Sequence, residues 1–275
     1  MTAAPKLETK LPCKMVLTNT EYHAMSPVGS TSLKNVLRSP AHYLHEKEHP
    51  SEPTPAMQFG SACHEALLEP NVFQANAIVM PKFEGTGSRA AKEQWLLENH
   101  GKRVIKADEH ADILGMLKAV QSHKTARALL SGGAAEESYF WQDPDTGIIC
   151  KCRPDFLRDG HILVDIKTTQ NADPSDFTKQ IANFKYHLQA AFYLDGVSEV
   201  VGQRFDQFII IAIEKSAPYG ISVHLLDEAT IDAGRFLYKK ALKILKECKI
   251  KNQYPGYPDQ ILTTAIPSWA WPSEE

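Results

Sequence analysis

The sequence predicts an α/β domain in which helices flank one mixed central sheet, with a helical N-terminal extension. Apolar residues recur at helical spacing up to about residue 131, and from residue 138 they alternate in short runs bounded by turn residues, as in strands. Helical patterns separate the later strand patterns, which indicates helices packed on the sheet. We therefore divide the chain into an arm over residues 1–30 and a single domain over residues 31–275.

The composition is that of a folded, soluble protein: of 275 residues, 43% are hydrophobic and 23% are charged, and the net charge is −3. This balance excludes a disordered chain and a strongly basic protein that coats DNA. The longest aliphatic stretch, residues 208–213, is far shorter than the ~20 apolar residues of a membrane-spanning helix. No signal-peptide pattern opens the chain, and its five cysteines lack C-x-x-C spacing. We expect a cytoplasmic protein with no membrane partner.

Residues 31–133 are predicted to be mainly helical. Ser39 suits the N-cap of the second helix and Pro40 its first position. Glu69-Pro70 is interpreted as a breaker, and Gly132-Gly133 ends the last helix. The predicted helices cover Ser32–Arg38, a helix from Pro40, Thr54–Leu68, residues 88–99 and residues 108–130.

Residues 134–226 are predicted to contain the sheet. Turn residues at 143–147 and 158–160 join the first three strands into an antiparallel meander. A helical region over residues 173–195 separates them from two further strands. The remaining residues, 227–275, are predicted to form one long helix and an irregular aromatic tail. The predicted strands cover Ser138–Gln142, Ile148–Leu157, His161–Lys167, Phe205–Ile213 and Gly220–Leu226.

Asp165 and Lys167 carry the strongest chemical signal. They lie two residues apart on a predicted strand, so both side chains leave the same face, while Val164 and Ile166 leave the other. An acid and a lysine in so apolar a strand are costly to bury unless they pair or bind a metal. Taken alone, Asp-x-Lys also fits an ion pair at a strand edge.

The preceding hairpin decides whether Asp155 joins them. A two-residue turn would send Asp155 to the opposite face, whereas a three-residue loop over residues 158–160 pairs it with Leu163. We predict the three-residue loop, with Gly160 in the left-handed conformation. Asp155 and Asp165 then lie diagonally on one face, close enough to hold one cation.

Two carboxylates beside a lysine suit Mg²⁺, a hard ion that takes few protein oxygens and keeps positions for water and a phosphate oxygen. The ion would relieve the repulsion between the carboxylates. Lys167 would orient the attacking water or stabilise charge that develops at phosphorus. The pattern therefore predicts metal-dependent hydrolysis of a phosphodiester, with Mn²⁺ able to replace Mg²⁺.

Pro154-Asp155 followed by Asp165-Ile166-Lys167 resembles the PD-(D/E)xK nuclease signature, which implies a restriction-endonuclease-like core. Over about residues 20–272 the chain also resembles one branch of the RecB-like group, the C-terminal nuclease family of RecE (exonuclease VIII). The stretches that carry this resemblance are Ser39–Tyr43, Phe59–Pro70, Thr146–Asp155, Tyr186–Tyr193 and the Pro-Ser-Trp tail.

The resemblance implies two further metal ligands. His64 would help to bind the ion, although its small apolar neighbours also fit an ordinary packed histidine. Glu136 would join the metal shell. Its neighbour Glu137 remains an alternative, because the loop at residues 143–147 does not fix the strand register.

Gln189 and Tyr193 lie four residues apart on one predicted helical face. The resemblance implies that they contact DNA and support Lys167, whereas their spacing alone fits a partly buried polar pair. The C-terminal helix carries a basic face that fits either a solvated surface or a track along a DNA backbone. Its members are Lys239, Lys240, Lys243, Lys246, Lys249 and Lys251.

The resemblance further implies an exonuclease that digests one strand of linear double-stranded DNA from 5′ to 3′ and leaves 3′ tails for recombination and repair. Its implied partners are DNA ends and a single-strand annealing recombinase, and its implied assembly is a ring-shaped homo-oligomer. Two alternatives stay open: a structure-selective endonuclease on the same core, and a DNA-binding or assembly module with a vestigial site. The complete set of Asp155, Asp165 and Lys167 argues against the second.

Overall fold

The computed structural model describes residues 10–159, 161–267 and 270–271. Its strands are β1 (Cys13–Met15), β2 (Ala77–Val79), β3 (Arg103–Ile105), β4 (Gly133–Ala135), β5 (Ser138–Gln142), β6 (Ile149–Cys152), β7 (Phe156–Arg158), β8 (Ile162–Thr169), β9 (Gln207–Glu214) and β10 (Ile221–Leu225). Its helices are α1 (Asn19–Ala24), α2 (Ser30–Arg38), α3 (Pro40–Glu48), α4 (Pro55–Leu68), α5 (Pro70–Asn76), α6 (Ser88–Glu98), α7 (Ala107–Ser122), α8 (Lys124–Leu129), α9 (Pro174–Asn183), α10 (Tyr186–Val201) and α11 (Glu228–Lys251). None of these helices has the length and apolar character needed to cross a membrane.

A mixed sheet of five strands lies at the centre of the fold, in the order β10-β9-β8-β7-β4. β8 and β9 run parallel, whereas the other neighbouring strands in this sheet run antiparallel. A second sheet has the order β1-β5-β6, and β2 and β3 form a parallel pair. The predicted α/β class, with a mixed central sheet and flanking helices, is confirmed.

Both faces of β8 and β9 are largely buried, which explains why β9 is apolar from Phe208 to Ile213. In β8 the apolar run is interrupted at Asp165 and Lys167. Leu163 and Ile210 belong to one core, shared with α10 and α11. Val164 and Ile166 belong to a second core on the opposite face, where they pack with Met116 and other residues of α4 and α7. The alternation places Asp165 and Lys167 on the first face, as predicted.

Two helical predictions need correction. Residues 108–130 form two helices, because His123 is extended between them and its side chain caps α8. The helical region over residues 173–195 is interrupted at Lys185, whose φ of 52° is left-handed. Glu69-Pro70 ends α4 after Leu68, as predicted, and it also starts α5, since proline fits the first turn of a helix.

The strand predicted over residues 148–157 is two strands in different sheets, so the predicted three-strand meander is wrong. β6 pairs with β5, whereas β7 pairs with β8. Arg153, Pro154 and Asp155 lie between them, and Pro154 has no N–H with which to continue the first ladder. The chain therefore changes sheets over these three residues.

The arm predicted over residues 1–30 is extended only in part. β1 pairs with β5, and α1 begins at a capping box formed by Thr18 and Glu21. The buried Lys151 donates hydrogen bonds of 2.6 Å to two backbone carbonyls at the end of α1, those of Tyr22 and Met25. These contacts tie α1 to the second sheet. The division of the chain at residue 30 stays a prediction.

Gly234 marks a close approach of α11 to α10. A Cβ at this position would clash with the backbone carbonyl of His187. Alanine normally stabilises an open helix relative to glycine, but here we expect Gly234→Ala to lower the free energy of unfolding by about 1–3 kcal/mol through overpacking. Urea denaturation measures the change. Gly256→Ala is the control, because its added Cβ would meet only Ala41, at 3.9 Å. Unchanged or raised stability of Gly234→Ala would contradict the packing.

Candidate active site

Three residues separate β7 from β8, as predicted, but they are residues 159–161 and not 158–160, and the register differs from the prediction. Leu157, and not Asp155, lies opposite Leu163. The left-handed residue is His161, with a φ of 65°; Gly160, predicted for that conformation, lies outside the described residues. The pairing is displaced by two residues, and an even displacement keeps every side chain on its predicted face.

Three residues from separate elements converge beside this hairpin. His64 on α4, Glu136 after β4 and Asp155 before β7 each offer one ligand atom, and these atoms lie within 4.8 Å of one another. His64 Nδ1 is 3.4 Å from Asp155 Oδ2. The N–H of Glu136 donates to the backbone carbonyl of Asp155 at 3.1 Å, which holds the two chain segments together.

Glu136, and not Glu137, belongs to this cluster. Glu136 has a left-handed φ of 54°, so the two consecutive carboxylates leave the chain in different directions. Glu137 instead accepts hydrogen bonds from Lys14 Nζ at 2.8 Å and Tyr139 Oη at 2.7 Å. Arg153 Nε lies 2.7 Å from Glu136 Oε2 and forms a buried ion pair that the sequence prediction missed.

Asp165 and Lys167 form a buried ion pair next to the three converging residues. Lys167 Nζ lies 2.6 Å from Asp165 Oδ2, and Asp165 is only 1% exposed. Gln189 Nε2 donates to the other carboxylate oxygen at 2.7 Å. Asp165 is not one of the three converging ligands. Within the part of the chain that is described, the ammonium of Lys167 is the close polar partner of its Oδ2.

α10 supports this ion pair with a single face, formed by Tyr186, Gln189 and Tyr193. The ammonium of Lys167 lies 4.9 Å from the centroid of the Tyr186 ring, within the range of a cation–π interaction. Tyr193 lines the cavity that holds the three converging ligands. The sequence prediction missed Tyr186 as a site residue, although its position three residues before Gln189 was a usable signal.

Burial and charge together set the protonation of the acids. Burial and the carboxylate of Asp155 raise the pKa of Glu136 to about 7. Burial raises the pKa of Asp165 by more than Lys167 lowers it. For Asp155 the effect of burial is outweighed by His64 and Lys167, so its pKa lies below its usual value. Further negative charge is therefore unfavourable here, and a cation would be stabilised.

The three converging residues fit a divalent cation. His64, Glu136 and Asp155 offer one imidazole nitrogen and two carboxylates, and their cavity of about 220 Å³ has room for water and a phosphate group. Both oxygens of Asp165 already have partners, Lys167 Nζ at 2.6 Å and Gln189 Nε2 at 2.7 Å. An ion held here would supply a Lewis acid and lower the pKa of bound water.

The neighbouring glutamates provide a matched test of this assignment. We expect Glu136→Gln to weaken Mn²⁺ binding at least about 10-fold, because it removes a charged ligand. Glu137→Gln should leave the affinity unchanged, since Glu137 is engaged with Lys14 and Tyr139. Isothermal titration calorimetry of both variants and the unsubstituted protein measures the affinities. Equal weakening by the two substitutions would reject Glu136 as the ligand.

Comparisons with known proteins bear on the family and the fold of the chain. Residues 29–263 match the model of a family described as a PDDEXK-like domain of unknown function, DUF3799. A crystal structure of a candidate exonuclease from Eubacterium rectale has a TM-score of 0.64 and 16% identity, covering 92% of this chain and 97% of that one, and shows a shared fold. A phage-related exonuclease from Haemophilus somnus 129PT has a TM-score of 0.37 and 14% identity, covering 83% and 97% respectively, which is too distant to support an argument.

No curated protein matches the chain. The narrower resemblance to the RecE nucleases therefore stays a prediction, whereas the broader PD-(D/E)xK resemblance is confirmed by the family model. Because that model covers most of the chain, the protein belongs to the DUF3799 family of PDDEXK-like domains.

Proposed function

We propose that the protein is a Mg²⁺-dependent exodeoxyribonuclease that hydrolyses phosphodiester bonds of linear double-stranded DNA. The observation that carries this proposal is the convergence of His64, Glu136 and Asp155 beside the buried pair of Asp165 and Lys167. A metal-ligand set next to a fixed ammonium supplies the two things that phosphodiester hydrolysis needs: an activated water and positive charge at the phosphate.

The residues divide the chemistry between them. His64, Glu136 and Asp155 would hold the ion, which supplies Lewis acidity when bound. Lys167 is kept charged by Asp165 at 2.6 Å and by the ring of Tyr186, so it acts as a hydrogen-bond donor and a cation. In that form it orients the attacking water or neutralises charge on the phosphate oxygens as the bond to the leaving oxygen breaks.

Gln189 and Tyr193 act from α10. Gln189 fixes the carboxylate of Asp165 by its hydrogen bond and thereby positions Lys167. Tyr193 lines the cavity that contains the three proposed metal ligands, and there its ring would pack against the DNA strand.

The remaining features of the proposal rest on the resemblance to RecE nucleases. They are digestion from 5′ to 3′, production of 3′ tails for recombination and repair, a single-strand annealing recombinase as partner, and a ring-shaped homo-oligomer around DNA. The same resemblance, together with the carboxylate ligands, favours Mg²⁺ as the ion and allows Mn²⁺ to replace it.

A second ion pair on the surface provides controls for the mechanism. We expect Asp165→Asn and Lys167→Met each to reduce digestion of end-labelled linear duplex at least about 10²-fold. Lys167→Met removes the cation at the reacting phosphate, and Asp165→Asn removes the carboxylate that holds this cation in place. Asp176→Asn and Lys179→Met remove the same charges from an exposed pair that is 2.8 Å apart, and should digest DNA normally. Circular dichroism verifies that all four variants are folded. Normal digestion by both Asp165→Asn and Lys167→Met would reject the mechanism.

The form of the substrate separates the proposal from its alternatives. Linear duplex should be shortened from its ends in Mg²⁺ and left intact in EDTA, while closed circular duplex should survive. Cleavage of the circle, or of a flapped duplex at its branch, would instead indicate an endonuclease. No digestion of any of these DNAs in Mg²⁺ or Mn²⁺ would indicate a binding or assembly module.

A further inference from the structure

A second lysine lies at the edge of the site. Lys34, on α2, is partly buried, and it forms no ion pair or side-chain hydrogen bond with any residue that the structure describes. Its ammonium faces an aromatic ring instead, 5.4 Å from the centroid of Tyr186. Among the described residues, Lys34 therefore has no ion-pair partner, and the carboxylate of Asp165 acts on its charge without contacting it.

The ring of Tyr186 joins this lysine to Lys167. Both ammonium groups lie against the same ring, at 5.4 Å and 4.9 Å from its centroid. Phe177 and Phe184 pack around the ring, with centroid distances of 6.3 Å and 5.6 Å. The packed ring of Tyr186 therefore places both ammonium groups on one flank of the site.

The charges on this flank do not balance. Asp165 neutralises Lys167, so Lys34 adds an unpaired positive charge. Burial, and then repulsion from Lys167, lowers the pKa of Lys34 to about 8. The two ammonium groups share the nearby carboxylate of Asp165, so a further anion beside them would be stabilised. Packing alone does not require the amine, since the methylene stem of a lysine can cover an aromatic ring.

We propose that Lys34 binds a phosphate oxygen of the DNA strand on the flank of the site where Lys34 and Lys167 lie, as a second cation beside Lys167. This inference rests on the proposed function, which brings a phosphodiester to that place. Two phosphates could supply the oxygen. If it is the phosphate under attack, Lys34 stabilises the charge that accumulates in the transition state; if it is the next phosphate along the strand, Lys34 contributes only to binding.

The test removes the charge and keeps the stem. Lys34→Met is compared with Lys118→Met, which removes a charge from an exposed position on α7, away from the site. DNA binding is measured by fluorescence anisotropy in Ca²⁺ over a range of salt concentrations, and kcat and KM are measured in Mg²⁺. Losing one phosphate contact should lower the slope of log K against log[salt] by about 0.7–0.9.

The two sources of the phosphate give different results, and either result supports the contact. A kcat at least about 10-fold lower, with weaker binding as a lesser effect, assigns Lys34 to the phosphate under attack. A reduced salt slope and a raised Kd with unchanged kcat assign it to the neighbouring phosphate. Lys34→Arg should recover much of either loss. A Lys34→Met variant that equals Lys118→Met in kcat, Kd and salt slope overturns the proposal.

Two further measurements keep the result decisive. Thermal unfolding compares the variants, and Lys34→Gln replaces Lys34→Met if the latter does not fold. If the unsubstituted protein binds DNA but hydrolyses none, the proposed function fails while the salt slope still tests Lys34. If the protein hydrolyses DNA but Lys34→Met changes neither the salt slope of DNA binding nor kcat, the proposed function stands and only the role of Lys34 is rejected.

Discussion

Asp165 and Lys167 lie on an inner strand of an apolar sheet, where an unpaired charge costs several kcal/mol to bury. Several surrounding residues stabilise this buried ion pair. Gln189 donates to the carboxylate, and the ring of Tyr186 lies against the ammonium. Both residues belong to α10, so this helix must pack on this face of the sheet at the distance that these contacts require. From the same helix face, Tyr193 lines the cavity that contains His64, Glu136 and Asp155.

The change of sheet at Pro154 is the second constraint. Because proline cannot continue the ladder of β6, the chain leaves one sheet with Arg153 and enters the other after Asp155. These two side chains consequently lie between the sheets, where one meets Glu136 and the other meets His64. In the sequence, Pro154-Asp155 is a short motif. In the structure, it lies where the chain segments that carry His64, Glu136 and Asp155 meet.

The distribution of charge matters more than its sum. The net charge of −3 is a sum over the whole chain. It combines a local cluster of acids, which would hold a cation, with lysines at other positions. Lys167 and Lys34 lie on one flank of that cluster, and most lysines of α11 lie on the exposed surface. The overall balance excludes broad coating of DNA but leaves room for local recognition of phosphate.

The sequence by itself determined the fold class, most helices and the face on which each residue of β8 lies, because these follow from local periodicity and capping. Alternation cannot distinguish registers that differ by two residues, so the partner of Leu163 was predicted wrongly while the faces were predicted correctly. Tertiary structure alone decided between Glu136 and Glu137 and brought Lys34 to Tyr186. Those contacts join residues far apart in the chain, and they depend on how helices pack on the sheet, which no local pattern records.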